Sequence, residues 1–310
     1  MNFAFVFPGQ GSQSVGMMAA FGDAAAVRDT LAEASDALGR DLSGMIASGP
    51  ADLLNQTIIT QPAMLAAGVA VYRLWQSLGG PLPAIMAGHS LGEYTALVCA
   101  GALDFADAIR LVSLRAEAMQ SAVPEGAGAM AAVLGLDDDA VRAVCAEAAQ
   151  GEVLEAVNFN SPGQVVIAGN KAAVDRGCAL AKEKGAKRAL PLPVSVPSHC
   201  ALMQPAAERL RIALADIRVQ TPAITVLHNA DVASHAAPDA IRDALARQLY
   251  SPVRWVETVR AFAAQGIELV AECGPGKVLA GLNKRIVEGL PGVALADAAG
   301  VADTLAKIKA

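Results

Sequence analysis

The stretch Gly88-His-Ser-Leu-Gly92 constrains the fold of this chain more than any other segment. It follows the apolar run 84–88, which predicts a strand, and it leads into 91–103, which has the pattern of a helix. Strand, sharp turn and helix is the context in which a Gly-x-Ser-x-Gly pattern exposes a serine hydroxyl. Ser90 is therefore a candidate nucleophile, although the pattern alone also fits an ordinary strand end.

The rest of the chain alternates between strand-like and helix-like patterns. An alternating order of this kind predicts an α/β fold with a mostly parallel sheet that is covered by helices on both faces. Further strands are predicted at 3–7, 223–228 and 268–274, and helices at 24–38, 62–78 and 105–122.

One segment has a different order of elements. Strands are predicted at 128–136, at 187–195 and twice within 155–169 around a Ser-Pro-Gly turn, with helices at 138–149 and 171–185. This βαββαβ order is that of a ferredoxin-like unit. We therefore predict a small ferredoxin-like domain at 126–196, inserted into a large domain formed by 1–125 and 197–310. A crevice between the two is the expected ligand site.

Composition narrows the class of protein. The net charge of −6 argues against a general nucleic-acid binder, and polar residues interrupt the uncharged stretch 53–72, which disfavours a membrane span. The five cysteines lack metal-like spacing, as expected for reduced thiols, and the amino terminus has no export-signal pattern. We expect a cytoplasmic protein without a metal or organic cofactor and without a nucleic-acid or membrane partner.

A serine hydroxyl becomes a good nucleophile only when a base takes its proton, and the chain has four histidines. His89 adjoins Ser90 and is expected to point away from its hydroxyl. His228 and His235 flank a polar loop, where solvated histidines are expected. His199 lies where the chain returns from the small to the large domain, and its position fits either a catalytic base or a helix-capping or core residue.

Arg115 places a cation on the apolar face of the predicted helix 105–122, on the same side as Met119. A buried guanidinium needs a carboxylate or phosphate partner, and it binds a carboxylate in a two-pronged, directional way. Two interpretations stay open at this point. One is an internal ion pair with an Asp or Glu, and the other is a pocket for a substrate that carries a free carboxylate.

Attack on an acyl group also requires hydrogen-bond donors for the developing oxyanion. Elbow geometry normally supplies the backbone N–H of the residue after the serine, here Leu91. A second donor fits the turn PGQGSQ, in which Gln10 is flanked by Gly9 and Gly11. An ordinary structural turn is the alternative interpretation of this segment.

Several motifs occur in order between residue 3 and about residue 287: FVFPGQGSQ, TQPAM, GHSLGEY, Arg115, NFNSPGQVVIAG, VPSH, RQLYSPVRW and ECGPGKVL. Together they closely resemble the malonyl-CoA:acyl carrier protein transacylases of dissociated fatty acid synthesis. The resemblance implies an α/β-hydrolase-like large domain and a protein that is usually monomeric. It also implies ping-pong transfer of a malonyl group from malonyl-CoA to the phosphopantetheine thiol of holo acyl carrier protein.

The resemblance also implies roles for individual residues. Ser90 is the acylated nucleophile, His199 is its base, and Gln248 orients His199 through its backbone carbonyl. The backbone N–H groups of Gln10 and Leu91 form the oxyanion hole. The expected substrate-binding side chains are those of Arg115, which binds the malonyl carboxylate, and of Gln61, Asn160, Met119 and Ser198.

Ser198 leaves the acyl specificity partly open. In related modular polyketide acyltransferases, Phe before the catalytic histidine tends to accompany malonyl and Ser tends to accompany methylmalonyl, whereas free-standing malonyl transacylases commonly carry Ser. We expect malonyl, with tolerance of bulkier extender units unresolved.

Three alternative functions stay in view: a trans-acting polyketide extender-unit acyltransferase, a serine thioesterase or hydrolase, and a non-catalytic module that binds a carrier protein. An α/β-hydrolase normally has an acid between its serine and a histidine near the chain end, whereas His199 is followed by about a hundred residues. Intact Ser90, His199 and Arg115 disfavour the binding module.

Overall fold

A computed structural model of the chain describes residues 1–194 and 196–309, and a parallel sheet lies at its centre. Within the described residues, the strands are numbered β1–β9 and the helices α1–α13 in chain order. The order in this sheet is β7-β2-β1-β8-β9, and each neighbouring pair is parallel. Its strands are β1 (Phe3–Phe7), β2 (Ile85–Gly88), β7 (Thr225–Leu227), β8 (Leu269–Glu272) and β9 (Gly292–Ala294).

Helices cover both faces of the parallel sheet. Alternate residues of its strands point to opposite sides, so each face has apolar side chains against which helices pack. In β1, Phe5 packs against Trp75 on one face, whereas Val6 belongs to the core cluster of Trp255 on the other. Among the helices of residues 1–194 and 196–309, none combines the length and the hydropathy of a membrane span. The helices around this sheet are α1 (Ala25–Leu38), α2 (Leu42–Ser48), α3 (Ala51–Leu54), α4 (Thr57–Ser77), α5 (Gly92–Cys99), α6 (Phe105–Gln120), α9 (Gln204–Asp216), α10 (Pro238–Gln248), α11 (Trp255–Ala264), α12 (Val278–Ile286) and α13 (Ala298–Lys309).

A second, antiparallel sheet has the strand order β4-β5-β3-β6. The chain runs β3-α7-β4-β5-α8-β6, which is the predicted βαββαβ order, and the two strands that lead into helices are central. A parallel sheet with helices and a smaller antiparallel sheet confirm the predicted fold class. The elements are β3 (Gly128–Leu134), α7 (Asp138–Ala149), β4 (Leu154–Ser161), β5 (Gln164–Asn170), α8 (Lys171–Glu183) and β6 (Arg188–Pro191).

The strand predicted at 187–195 is shorter in the structure, where β6 ends at Pro191. The N–H of Leu192 still donates to the carbonyl oxygen of Met130 at 2.9 Å, but the N–H of Val194 donates to the carbonyl oxygen of Leu192 at 2.8 Å, so the chain turns at Pro193 and leaves the ladder. Ser195, the end of that predicted strand, lies outside the described residues, as does Ala310. The boundaries of the predicted domain at 126–196 stay a prediction.

Helix α4 begins at Thr57, earlier than the predicted helix 62–78, and Pro62 lies inside it. Proline is a helix-start signal because it lacks an N–H, but burial of Ile59 and Gln61 favours an extra helical turn before it. The extension places Gln61 on a rigid element that faces the site described below.

The antiparallel sheet is joined to the rest of the molecule along its edge strand β4. The backbone N–H of Phe159 donates to the carbonyl oxygen of Val253 at 3.0 Å, and the N–H of Val253 donates to that of Val157 at 2.8 Å. The segment around Val253 thereby covers backbone groups that an edge strand would otherwise expose. These bonds hold the antiparallel sheet beside the carboxyl ends of the parallel strands.

Candidate active site

Ser90 lies on the sharp turn between β2 and α5. Its φ angle is 51°, a left-handed conformation that is costly for a residue other than glycine. A Cβ atom at Gly88 would lie 1.8 Å from the carbonyl carbon of Gly92, and one at Gly92 would lie 2.0 Å from the carbonyl oxygen of Phe7. The two glycines therefore allow β1, β2 and α5 to approach closely and leave the serine at the tip of the turn.

Substituting Gly92 with alanine should lower the free energy of unfolding by about 3 kcal/mol or more, because the methyl group would overlap β1. The control is Gly281→Ala in α12, where an added Cβ meets nothing within 4 Å. That change should be neutral or slightly stabilising, since alanine favours helix. Thermal unfolding followed by circular dichroism measures both, and an unchanged melting temperature for Gly92→Ala would contradict this account of the turn.

His199 approaches Ser90 from the chain that follows the antiparallel sheet. Its Nε2 lies 2.8 Å from Ser90 Oγ, and its Nδ1 lies 2.8 Å from the backbone carbonyl oxygen of Gln248. Because a carbonyl oxygen only accepts, Nδ1 carries the proton and Nε2 is free to accept the serine proton. The backbone carbonyl of Gln248 occupies the place that a carboxylate takes in a Ser-His-Asp triad.

The surroundings of His199 favour its neutral form. The side chain is buried, and burial together with the nearby positive charge of Arg115 lowers the pKa of His199 to about 3. The backbone is also held, since the N–H of His199 donates to the carbonyl oxygen of Leu249 at 2.9 Å. An imidazole that is neutral at pH 7 can accept a proton from a hydroxyl or thiol.

Arg115 extends from α6 to the same place and is only 1% exposed. Its Nη1 donates to Gln61 Oε1 at 2.7 Å, and its Nη2 lies 3.0 Å from Gln248 Oε1 and 3.4 Å from Ser90 Oγ. In residues 1–194 and 196–309, no carboxylate lies within 4.0 Å of this guanidinium, and its Nε has no hydrogen-bond partner. The sequence left an internal ion pair with an Asp or Glu as one interpretation of Arg115. That ion pair is absent from the described part of the chain.

A cavity of about 130 Å³ opens beside Ser90, between the parallel and antiparallel sheets. Of the residues expected to bind substrate, Arg115, Gln61, Met119 and Ser198 line it. The remaining lining residues are Gln10, Thr57, His89, Leu91, Met130, Asn158, Leu192, Val194, Val196 and His199.

Within the described ranges, no group of three or more His, Cys, Asp or Glu side chains is placed to hold a metal ion.

The turn that contains Gln10 packs directly against the elbow. A Cβ atom at Gly9 would lie 2.5 Å from the carbonyl oxygen of His89 and 3.7 Å from the backbone nitrogen of Leu91. No hydrogen bond within the described residues involves the backbone N–H of Gln10 or Leu91. Two free N–H groups next to Ser90 match what an oxyanion hole requires.

The cavity is lined by Asn158 rather than by Asn160, whose Oδ1 instead lies 2.8 Å from His89 Nε2. Strand β4 shifts register on both sides of this point, between Ala156 and Asn158 and again after Phe159. Strict alternation therefore fails here, and the sequence pattern does not identify which asparagine faces the cavity.

Beneath the elbow lies a buried hydrogen-bond network that the sequence patterns did not indicate. Glu93 Oε1 lies 2.7 Å from His228 Nδ1, while its Oε2 accepts from the backbone N–H of Asn229 at 2.9 Å and from Gln248 Nε2 at 2.8 Å. Asn229 Oδ1 accepts from the N–H of Ser90 at 2.7 Å. These bonds tie the elbow, the loop after β7 and the end of α10 together.

The expectation that His228 is solvated is wrong, because its side chain is fully buried against Glu93. His235 keeps 24% exposure and pairs with Asp231 at 3.0 Å. The local signal for this network is Glu93 itself, a charged residue in the otherwise uncharged segment 91–103, because a buried carboxylate needs hydrogen-bond partners.

Three features of this α/β protein are typical of enzymes that act on acyl groups. They are a serine at a strand end, a neutral histidine hydrogen-bonded to its hydroxyl, and free N–H groups beside the serine. The acyl transferase domain model matches residues 4–302 of this chain. The chain is 60% identical over 308 residues to a malonyl CoA-acyl carrier protein transacylase of Escherichia coli strain K12, covering 98% of this chain and 99% of the relative.

Solved structures agree with this match. An acyl-carrier-protein S-malonyltransferase from Burkholderia pseudomallei 1710b is 62% identical, with a TM-score of 0.97, and 99% of this chain and 100% of that one are covered. A malonyl-transacylase in complex with a holo type II PKS acyl-carrier protein is 55% identical, with a TM-score of 0.98 and coverage of 99% and 100%. The chain belongs to the acyl transferase domain family and, within it, to the malonyl CoA-acyl carrier protein transacylases.

Proposed function

We propose that this acyltransferase moves the malonyl group from malonyl-CoA to the phosphopantetheine thiol of holo acyl carrier protein, with a malonyl ester on Ser90 as intermediate. One observation carries the acyl specificity: the buried guanidinium of Arg115 lies 3.4 Å from Ser90 Oγ and lacks a carboxylate partner in the described residues. The free carboxylate of a malonyl group supplies that partner. The names of the relatives at 60% and 62% identity support the same substrate.

In the first half-reaction, Ser90 Oγ attacks the thioester carbonyl while His199 Nε2 takes the hydroxyl proton. The backbone N–H groups of Gln10 and Leu91 donate to the oxyanion that develops on the carbonyl oxygen. The C–S bond then breaks, and His199 returns the proton to the CoA thiolate. The enzyme is left with a malonyl ester on Ser90.

The second half-reaction reverses these steps with a different thiol. The phosphopantetheine thiol gives its proton to His199 and attacks the ester carbonyl, and the bond between the acyl carbon and Ser90 Oγ breaks. Ser90 recovers the proton from His199. Throughout, the carbonyl oxygen of Gln248 holds the Nδ1–H of His199, while Gln61 and Gln248 hold Arg115 against the malonyl carboxylate.

Intact-mass measurement after mixing with malonyl-CoA, and then with holo acyl carrier protein, tests this proposal. We expect the enzyme to gain the mass of one malonyl group, which mass analysis of its peptides assigns to Ser90, and then to lose it to the carrier. Rapid loss of the adduct to water would instead indicate a hydrolase, and the absence of any adduct would indicate a binding module.

The carrier itself has two candidate sources. Fatty acid synthesis is the first, and the 55% identical relative bound to a type II PKS acyl-carrier protein supports a polyketide carrier as the second. Comparing kcat/KM for purified carriers of both kinds distinguishes them. Transfer to one carrier at a rate at least about tenfold higher would assign the partner, since tenfold corresponds to about 1.4 kcal/mol of discrimination.

We further propose that the enzyme is a cytoplasmic monomer without a nucleic-acid or membrane partner. The net charge of −6 supports this, because nucleic acids and anionic membranes attract basic surfaces. All five cysteines are free thiols, as is usual in a reducing compartment. Light scattering of the purified enzyme measures its oligomeric state.

A further inference from the structure

Two buried, oppositely charged side chains lie on either side of Gln248. Glu93 is 0% exposed and Arg115 is 1% exposed. The Gln248 amide connects them, because its Oε1 accepts from Arg115 Nη2 at 3.0 Å and its Nε2 donates to Glu93 Oε2 at 2.8 Å. We propose that Glu93 is the counter-charge of Arg115 and positions the guanidinium through this amide. The substrate side of this inference rests on the function proposed above.

The orientation of the Gln248 amide depends on Glu93. Its Nε2 faces two acceptors, the Glu93 carboxylate and the carbonyl oxygen of Ser90 at 2.9 Å. Exchanging the nitrogen and the oxygen would place an NH₂ group against the guanidinium and an oxygen against the carboxylate, and both contacts would be repulsive. With Glu93 in place, the amide therefore presents its oxygen to Arg115.

The other partners of Glu93 match a carboxylate that only accepts hydrogen bonds. His228 Nδ1 lies 2.7 Å from one of its oxygens, and the backbone N–H of Asn229 donates to the other at 2.9 Å. Glu93 is thus held by two elements that meet under the elbow, the loop after β7 and the end of α10. It lies on the first turn of α5, three positions after Ser90 in the chain.

The Gln248 amide separates the charges of Glu93 and Arg115, which has a different consequence from a direct ion pair. An isolated buried guanidinium is costly, so a carboxylate nearby stabilises it. A carboxylate in direct contact would occupy the paired N–H groups that a malonyl carboxylate needs. By acting through Gln248, Glu93 offsets the charge of Arg115 and still leaves the guanidinium available to the substrate.

A double-mutant cycle in thermal stability tests the charge coupling without using enzymatic activity. Glu93→Gln keeps the size of the side chain and removes its charge. We expect this change to lower the melting temperature by about 3–6 °C more in the wild-type background than in the Arg115→Gln background. Equal shifts in the two backgrounds would overturn the proposal.

Glu272→Gln is the matched control. Glu272 is also fully buried at the end of a parallel strand, but its Oε2 accepts from the backbone N–H of Ala280 at 2.8 Å and its hydrogen bonds do not involve Arg115 or Gln248. Its substitution should shift the melting temperature equally in both backgrounds. A background-dependent shift for this control would mean that the cycle reports general destabilisation, and the coupling assigned to Glu93 would be rejected.

Acyl selectivity is the second readout. Glu93→Gln should lower kcat/KM for malonyl-CoA by about tenfold and change that for acetyl-CoA by less than about threefold, since acetyl has no carboxylate for Arg115 to hold. Equal losses with both acyl groups in Glu93→Gln would indicate a merely structural role and would overturn the proposal. If no malonyl adduct forms on the wild-type enzyme, the proposed function fails while the stability cycle still stands.

Discussion

Replacing Ser90 with alanine should abolish the covalent malonyl adduct and lower kcat for carrier malonylation by at least about 10⁴-fold. The hydroxyl that is lost is the group bonded to His199 Nε2 at 2.8 Å. Cys200 does not replace it, because its buried thiol donates to the carbonyl oxygen of Pro197 at 3.1 Å and burial raises its pKa to about 12. Intact-mass analysis and a malonyl-transfer assay measure the two effects.

Ser77→Ala is a suitable control for this variant. Ser77 is an exposed residue at the end of α4, and its hydroxyl donates to the carbonyl oxygen of Leu74. The control should keep both the adduct and the wild-type rate. Persistence of a malonyl adduct on Ser90→Ala would show that the nucleophile is another residue and would remove the basis of the proposed mechanism.

Replacing Arg115 with alanine should change the acyl preference of the enzyme rather than only its rate. We expect kcat/KM for malonyl-CoA to fall by about 10³-fold, because two charge-assisted hydrogen bonds to the carboxylate are lost. The value for acetyl-CoA should rise by about tenfold, because an acetyl group no longer leaves a buried guanidinium unpaired. Steady-state kinetics with both donors measure the change in ratio.

Arg110 provides the matched control on the same helix. It is half exposed, with 55% of its side chain accessible, and it pairs with Asp107 at 2.7 Å. Arg110→Ala should leave both kcat/KM values within about twofold of wild type, because surface ion pairs contribute little. Equal losses with malonyl-CoA and acetyl-CoA in Arg115→Ala would count against a role in carboxylate recognition.

The parts of the site that could be predicted are those set by short stretches of sequence. The strand, the glycine turn and the helix around Ser90 follow one another directly, and the structure has β2, the elbow and α5 in that order. The βαββαβ segment was predictable for the same reason, since its periodicity changes over successive runs of residues. Strand β9, only three residues long, has no periodic pattern that could have revealed it.

Residues far apart in the chain were harder to assign. Ser90 and His199 are separated by 109 positions, and Ser90 and Gln248 by 158. No local pattern couples such positions, so the pairing of Ser90 with His199 was only implied by resemblance to a family. The burial of His228 was mispredicted because the polar loop beside it gives no sign that Glu93 lies beneath.

By itself, the sequence determined the α/β fold class, the sharp turn that exposes Ser90 and the helix that places a cation on an apolar face. Only the tertiary structure decided what that cation meets, which asparagine of β4 faces the cavity, and that Glu93 lies beneath the elbow. The physical reason is the range of the interactions. Periodicity and glycine sterics act over a few neighbouring residues, whereas the surroundings of Arg115 form only when α4, α6 and α10 pack together.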